Sequence, residues 1–142
     1  MMKYIIDSDL YIELLRTGRY HDIIADIYTR ETPYIYFSSV VAQELLSGVI
    51  NETGRKNVEA VLSPFEKAGR IITPGHAVWK DAGYILSKLR AEKPHLKSKA
   101  SQLINDALIA MSARSIGATV ITLNSSDFEA IKSVKTFSYI TV

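Results

Sequence analysis

Tyr4-Ile5-Ile6-Asp7-Ser8-Asp9-Leu10-Tyr11-Ile12-Glu13-Leu14-Leu15, residues 4–15, decides the fold. A short apolar, β-branched run stops at an acid–hydroxyl–acid turn and gives way to a pattern of helical period. The run reads as a strand over Tyr4–Ile6, with Ser8 or Asp9 capping the helix that follows. The same alternation recurs down the chain. Strand signals lie at Tyr34–Ser38, Arg70–Thr73, Ala118–Leu123 and Thr136–Thr141. Several are almost wholly apolar, as strands covered on both faces should be. Helical patterns fill the gaps: Val40–Val49 after Ser38-Ser39, and a shorter one over Val58–Phe65. A third opens at Thr73-Pro74, as cap and first-turn proline, and runs through Arg90. A fourth is capped by Ser101, runs to Ile116 and is ended by Gly117. This order predicts an α/β fold, a single domain over residues 1–142. Its central sheet is mainly parallel, with about five strands and helices on both faces. Residues 91–98 read as a mobile loop.

The chain has 142 residues, 47% hydrophobic and 23% charged, the profile of an ordinary soluble globular domain. That length buries roughly 70% of the unfolded surface. The absence of cysteine excludes disulfides, thiolate zinc sites and cysteine nucleophiles. The apolar run before Asp7 is too short for a signal peptide. No stretch approaches the ~20 apolar residues of a membrane span. A cytoplasmic protein is expected. His21, His76 and His95 lack metal-ligand spacing and read as surface residues. Trp79, with Ala82, Gly83, Leu86 and Leu89 at helical intervals, reads as packing. The eight tyrosines are dispersed and read as core or half-buried.

Three carboxylates stand where an ionised acid is costly. Asp7 ends the first strand. Glu44 interrupts Val40-Val41-Ala42-Gln43-Glu44-Leu45-Leu46, and Asp106 interrupts Leu103-Ile104-Asn105-Asp106-Ala107-Leu108-Ile109-Ala110. An unpaired charge on a core-facing surface costs several kcal/mol or more. No Lys or Arg lies close in sequence to any of the three. Each has a structural alternative: Asp7 as a helix cap, Glu44 as a paired acid on a half-buried helix, Asp106 as an acceptor for loop amides. One divalent cation answers for all three at once. A carboxylate set without His or Cys suits Mg²⁺ or Mn²⁺ better than zinc. Metal-activated attack of water on a phosphodiester is the natural chemistry of such a site.

Two further oxygen donors, Asn124 and Asp127, follow the strand Ala118–Leu123, although Asp127 also suits the start of a short helix. A basic run, Lys88, Arg90, Lys93, Lys97 and Lys99 against Glu92, carries a local +4, leaving −2 for the rest of a chain whose total is +2. It is either a solvated helix end or an arm that attracts phosphate.

These blocks, in this order, resemble the PIN-domain nucleases, and in particular the VapC-like toxins of toxin–antitoxin systems. The likeness rests on residues 5–12, 38–48, 105–110 and 117–128. It implies an Mg²⁺- or Mn²⁺-dependent ribonuclease in which Asp7, Glu44 and Asp106 are the catalytic, metal-binding acids. The family's fourth acidic position often falls where this chain has Asn124, with Asp127 three residues later. The departure leaves open whether Asn124 and Asp127 complete a second metal subsite. The resemblance further implies an RNA substrate, a cognate antitoxin protein covering the acidic groove and a homodimer. The basic run then gains weight as an RNA-binding arm. Two other readings compete. Asp7-Ser8-Asp9 resembles the opening motif of haloacid-dehalogenase-like phosphatases, with Asp7 as nucleophile and Asp9 as general acid. A catalytically silent PIN-like module would keep the fold and bind only RNA or protein.

Overall fold

Strand β1 (Lys3–Ile6) lies at the middle of the sheet, between β2 (Ile35–Ser38) and β4 (Ala118–Thr122). The edges are β3 (Ile71–Ile72) and β5 (Ser138–Thr141), giving the order β3-β2-β1-β4-β5 with every pair parallel. This is a computed structural model that describes residues 2–31 and 34–142. All five residues of β4 are buried, as their unbroken apolar and β-branched pattern requires of a strand covered on both faces. The chain steps outward from β1 through β2 to β3, then returns across the sheet to β4 and β5. Right-handed crossovers in opposite directions put helices on opposite faces. Between β1 and β4 the strand order reverses, which opens a crevice at their carboxyl ends.

Seven helices connect the described strands: α1 (Ser8–Thr17), α2 (His21–Glu31), α3 (Ser39–Ser47), α4 (Glu52–Ala68), α5 (His76–Glu92), α6 (Ala100–Ile116) and α7 (Ser125–Val134). The α/β architecture and the five strands match the sequence expectation, with strand ends shifted by one or two residues. Several local expectations are corrected. Asp7, not Ser8 or Asp9, is the N-cap of α1, accepting from the Ser8 amide at 2.8 Å. Helix α5 starts at His76 behind Gly75, two residues beyond Thr73-Pro74, with no side-chain cap. Helix α6 already begins at Ala100, so Ser101 sits inside its first turn. Residues 91–98 are not an irregular loop: 91 and 92 finish α5, and Pro94–Lys99 form a 3₁₀ helix that runs straight into α6.

Helix α2 was not expected at all. It follows a reversal in which Gly18 (φ 74°) and Tyr20 (φ 63°) both take left-handed backbone, and it buries Ile24. Helix α4 extends well beyond Val58–Phe65 because the Asn51 side chain caps it, accepting from the Gly54 amide at 2.8 Å. Trp79 does not pack: it is 53% exposed, and Val78, Ala82, Ile85 and Leu89 form the buried face of α5 instead. The three histidines are exposed, as expected. On one side the core is stitched by Tyr11 stacked on Phe37 at 5.1 Å and Phe37 against Phe65 at 5.4 Å. Around β5, Phe128, Phe137 and Tyr139 form a second aromatic cluster.

Candidate active site

The crevice between β1 and β4 collects the acids. Asp7 is the first residue past β1, and its amide still pairs with the Ile121 carbonyl at 2.9 Å, so the ladder fixes its backbone. Only 3% of it is exposed. Its Oδ1 accepts from the Ser8 amide, and its Oδ2 accepts from Thr122 Oγ1 at 2.7 Å, at the end of β4. Glu44 reaches in from α3, whose start is fixed by Ser38 Oγ accepting from the Val40 and Val41 amides. Its Oε1 accepts from Ser8 Oγ at 3.1 Å, and Asn105 donates to it from α6. Asp106, 5% exposed, lies one residue further along α6, and Asn124 Nδ2 stands 3.5 Å from its Oδ2. Asn124 Nδ2 also donates to Asp127 Oδ2 at 2.9 Å, and Lys99 Nζ pairs with Asp127 Oδ1 at 3.2 Å.

The electrostatics follow from this burial. Desolvation first, then the charge of Asp9, pushes the Asp7 carboxyl up to about 7. Asp106 is pushed up to about 8, by burial and then by the charges of Asp7, Glu44, Asp127 and Asp9. Burial also raises Glu44, against the opposing bonds from Ser8 and Asn105. Among the described residues, no Lys or Arg forms an ion pair with Asp7, Glu44 or Asp106. Four acids from four segments repel one another with no cation among the first three. Such a set gains from a bound cation.

The PIN domain family model matches residues 4–133. The chain belongs to the PIN-domain family. No curated protein matches it in sequence. Its fold recurs in the DNA-bound VapBC complex of Salmonella typhimurium, at 21% identity over 99% of this chain and 98% of that one, TM-score 0.73. The VapBC2 complex of Rickettsia felis, bound to a DNA fragment from its promoter, matches at 24% identity over 99% of both chains, TM-score 0.66. VapBC-1 of nontypeable Haemophilus influenzae matches at 21% identity over 99% and 98%, TM-score 0.68.

The donors of this PIN domain fit a hard divalent cation: they are all oxygen, buried at Asp7 and Asp106 and half-buried at Glu44, and short of positive charge. Among the described residues no three acids close into a ready-made cage. Mg²⁺ does not need one, since it is typically held by one or two carboxylates and keeps several waters. Asn124 takes a part different from a simple ligand. Its Oδ1 faces the Asp127 amide at 3.3 Å as the N-cap of α7, so its amide hydrogens face the acids.

Of the basic run, only Lys99 enters the crevice. Arg90 and Lys97 rim a cleft of about 340 Å³ floored by Leu86, Leu89, Leu96 and Leu103. Lys93 flanks a second cleft, of about 350 Å³, that reaches Lys99 and Asp127. Lys88 lies over the Tyr84 ring on the outer face of α5. Three residues of the site had no role in the nuclease reading of the sequence. Asp9 Oδ2 accepts from the Leu123 amide at 3.0 Å, tying the start of α1 to the end of β4. Thr122 and Asn105 orient Asp7 and Glu44. A threonine at the end of an apolar and β-branched strand was the only available signal, and it carries no mark of its partner 115 positions away.

No helix among the described residues is long and apolar enough to cross a membrane.

Proposed function

We propose that this PIN domain is a divalent-metal-dependent endoribonuclease and the toxin of a cytoplasmic toxin–antitoxin pair, working as a homodimer. The observation that carries the catalytic reading is the meeting of Asp7, Glu44 and Asp106 at the reversal point of the sheet without a compensating cation. The toxin reading is supported by neighbours of the same fold that are VapBC toxin–antitoxin complexes.

Asp7, Glu44 and Asp106 would hold Mg²⁺ or Mn²⁺. The bound ion supplies charge neutralisation at the scissile phosphate and lowers the pKa of the attacking water. The protein side of the reaction is positioning. Thr122 fixes the Asp7 carboxylate, Ser8 and Asn105 fix Glu44, and Asn124 steadies Asp106. Oriented carboxylates accept the proton of the attacking water as its oxygen bonds to phosphorus and the bond to the leaving sugar oxygen breaks. Arg90, Lys93 and Lys97 offset the acidic centre for an incoming RNA backbone, with Lys88 further out on α5. Asp9 is held by Leu123 and Thr122, a tether that suits a structural part better than the general acid of a phosphatase.

The test is RNA cleavage by the wild type and by Asp106→Asn, each with Mg²⁺ and with EDTA. Cleavage is expected only for the wild type with metal, and cleavage that survives both changes overturns the reading. For the toxin role, induction should arrest growth, and co-expression of an antitoxin encoded beside it should relieve the arrest.

A further inference from the structure

The acidic centre is divided in two by its own hydrogen bonds. On one side Asp7, Glu44 and Asp106 have hydroxyl and amide partners and no positive charge. On the other, both oxygens of Asp127 are already engaged: Oδ1 by Lys99 Nζ at 3.2 Å and Oδ2 by Asn124 Nδ2 at 2.9 Å. Asp127 is only 3% exposed, so these two donors satisfy a carboxylate that water barely reaches. Asn124 cannot turn its oxygen to a cation without giving up the cap of α7.

The position of Lys99 is itself unusual. It stands at the N-terminal end of α6, where the helix dipole disfavours a cation. The ion pair with Asp127 offsets that cost. The 3₁₀ helix leading into α6 holds the lysine backbone, and Leu96 packs that helix against the core. The side chain remains 47% exposed, so its ammonium faces both the buried acid and the open crevice.

We propose that Lys99 Nζ takes the place of a second metal ion at the Asp127 end of the centre. The chain then binds one divalent cation, through Asp7, Glu44 and Asp106. In the free protein the ammonium neutralises Asp127, and when RNA enters it contacts a non-bridging oxygen of the scissile phosphate. Asn124, where a second acid would need a second cation, is matched to this arrangement because a single lysine balances a single carboxylate. This inference rests on the nuclease reading above, and its stoichiometric test stands apart from activity.

Calorimetric titration with MnCl2 is expected to give one site in the wild type, retained in Asp127→Asn and lost in Asp7→Asn. Lys99→Met/Asn124→Asp, which frees Asp127 and restores an acid beside it, is expected to give two. Two sites in the wild type, with one lost in Asp127→Asn, overturn the lysine proposal and leave the nuclease reading standing. No Mn²⁺ binding by the wild type overturns both. In cleavage assays, Lys99→Met should lower kcat by about 10²-fold, the usual cost of one transition-state donor. Lys99→Arg should recover part of that loss, and Lys99→Met should also lower thermal stability, because it leaves the buried Asp127 without its cation. A Lys99→Met variant with unchanged kcat also overturns the proposal.

Discussion

Thr122 Oγ1 donates a 2.7 Å hydrogen bond to Asp7 Oδ2, joining the last residue of β4 to the first residue beyond β1. The same hydroxyl accepts from the Asn124 amide at 3.0 Å and stands 3.1 Å from Asp9 Oδ2. One side chain thus orients the site acid, the loop that carries Asn124 and the start of α1. Thr122→Val keeps the shape and removes the donor. A buried Asp7 oxygen then loses its partner, at a cost of about 1–3 kcal/mol in stability. Loss of a residue that orients a ligand typically weakens metal affinity about 10–100-fold. Mn²⁺ calorimetry and thermal melts measure both. Unchanged metal affinity would remove Thr122 from any positioning role.

The raised carboxyls give the metal-free protein an unusual pH dependence. Asp7 near 7 and Asp106 near 8 both lie far above the ordinary 3.8. Between these limits the native state holds more protons than the unfolded chain, so stability falls as pH rises. The loss starts near the ordinary carboxylate range and is complete once pH has passed the folded value of about 8. Melts in EDTA should therefore show a higher Tm near pH 6 than near pH 9. If Mg²⁺ binds these acids as proposed, saturating Mg²⁺ favours their ionised forms and should narrow the difference. A Tm in EDTA that climbs across this window would contradict the burial-driven shifts.

Asp106→Asn separates function from stability. The amide fills nearly the same volume but carries no charge to desolvate or to oppose Asp7 and Glu44. Cleavage should fall at least 10²-fold, while the metal-free protein becomes more stable above pH 8. Each kcal/mol gained raises Tm by about 2–4 °C in a chain of this size. A variant both inactive and less stable at pH 8.5 would mean that Asp106 is compensated in the wild type.

The readable parts of the chain were those whose signal is local. Gly117 takes φ 69° and ends α6 where a glycine after an apolar periodic run should. The almost wholly apolar and β-branched pattern of β4 marked a strand covered on both faces, and the acids interrupting apolar runs marked the crevice. What escaped were features set by distant partners. Among its described side chains helix α2 buries one, Ile24, and its stability depends on packing that no local pattern encodes. Gly54 and Pro64 broke the pattern of α4 and hid its ends, although Asn51 caps it. Trp79 shared helical spacing with Ala82 and Leu89, but the buried face is rotated by one residue onto Val78. Lys99 was visible only as one charge in a run. Its pairing with Asp127 spans 28 positions and exists only once α6 and α7 are folded.

Ser112 supplies an internal control, because it lies six positions after Asp106 on the same helix and its hydroxyl bonds to none of the acids. Its hydroxyl is buried and has no hydrogen-bond partner among the described residues. A serine in a helix interior usually returns its proton to the carbonyl one turn earlier, and here it does not. Ser112→Ala removes an unsatisfied polar group while leaving almost the same volume. It should stabilise the protein by about 1 kcal/mol, equally at pH 6 and pH 9 and with or without Mg²⁺. RNA cleavage should be unchanged. The comparison with Asp106→Asn then isolates charge from burial: a pH-independent gain for the serine and a pH-dependent gain for the acid. A Ser112→Ala variant that loses stability would mean that the hydroxyl holds a buried water.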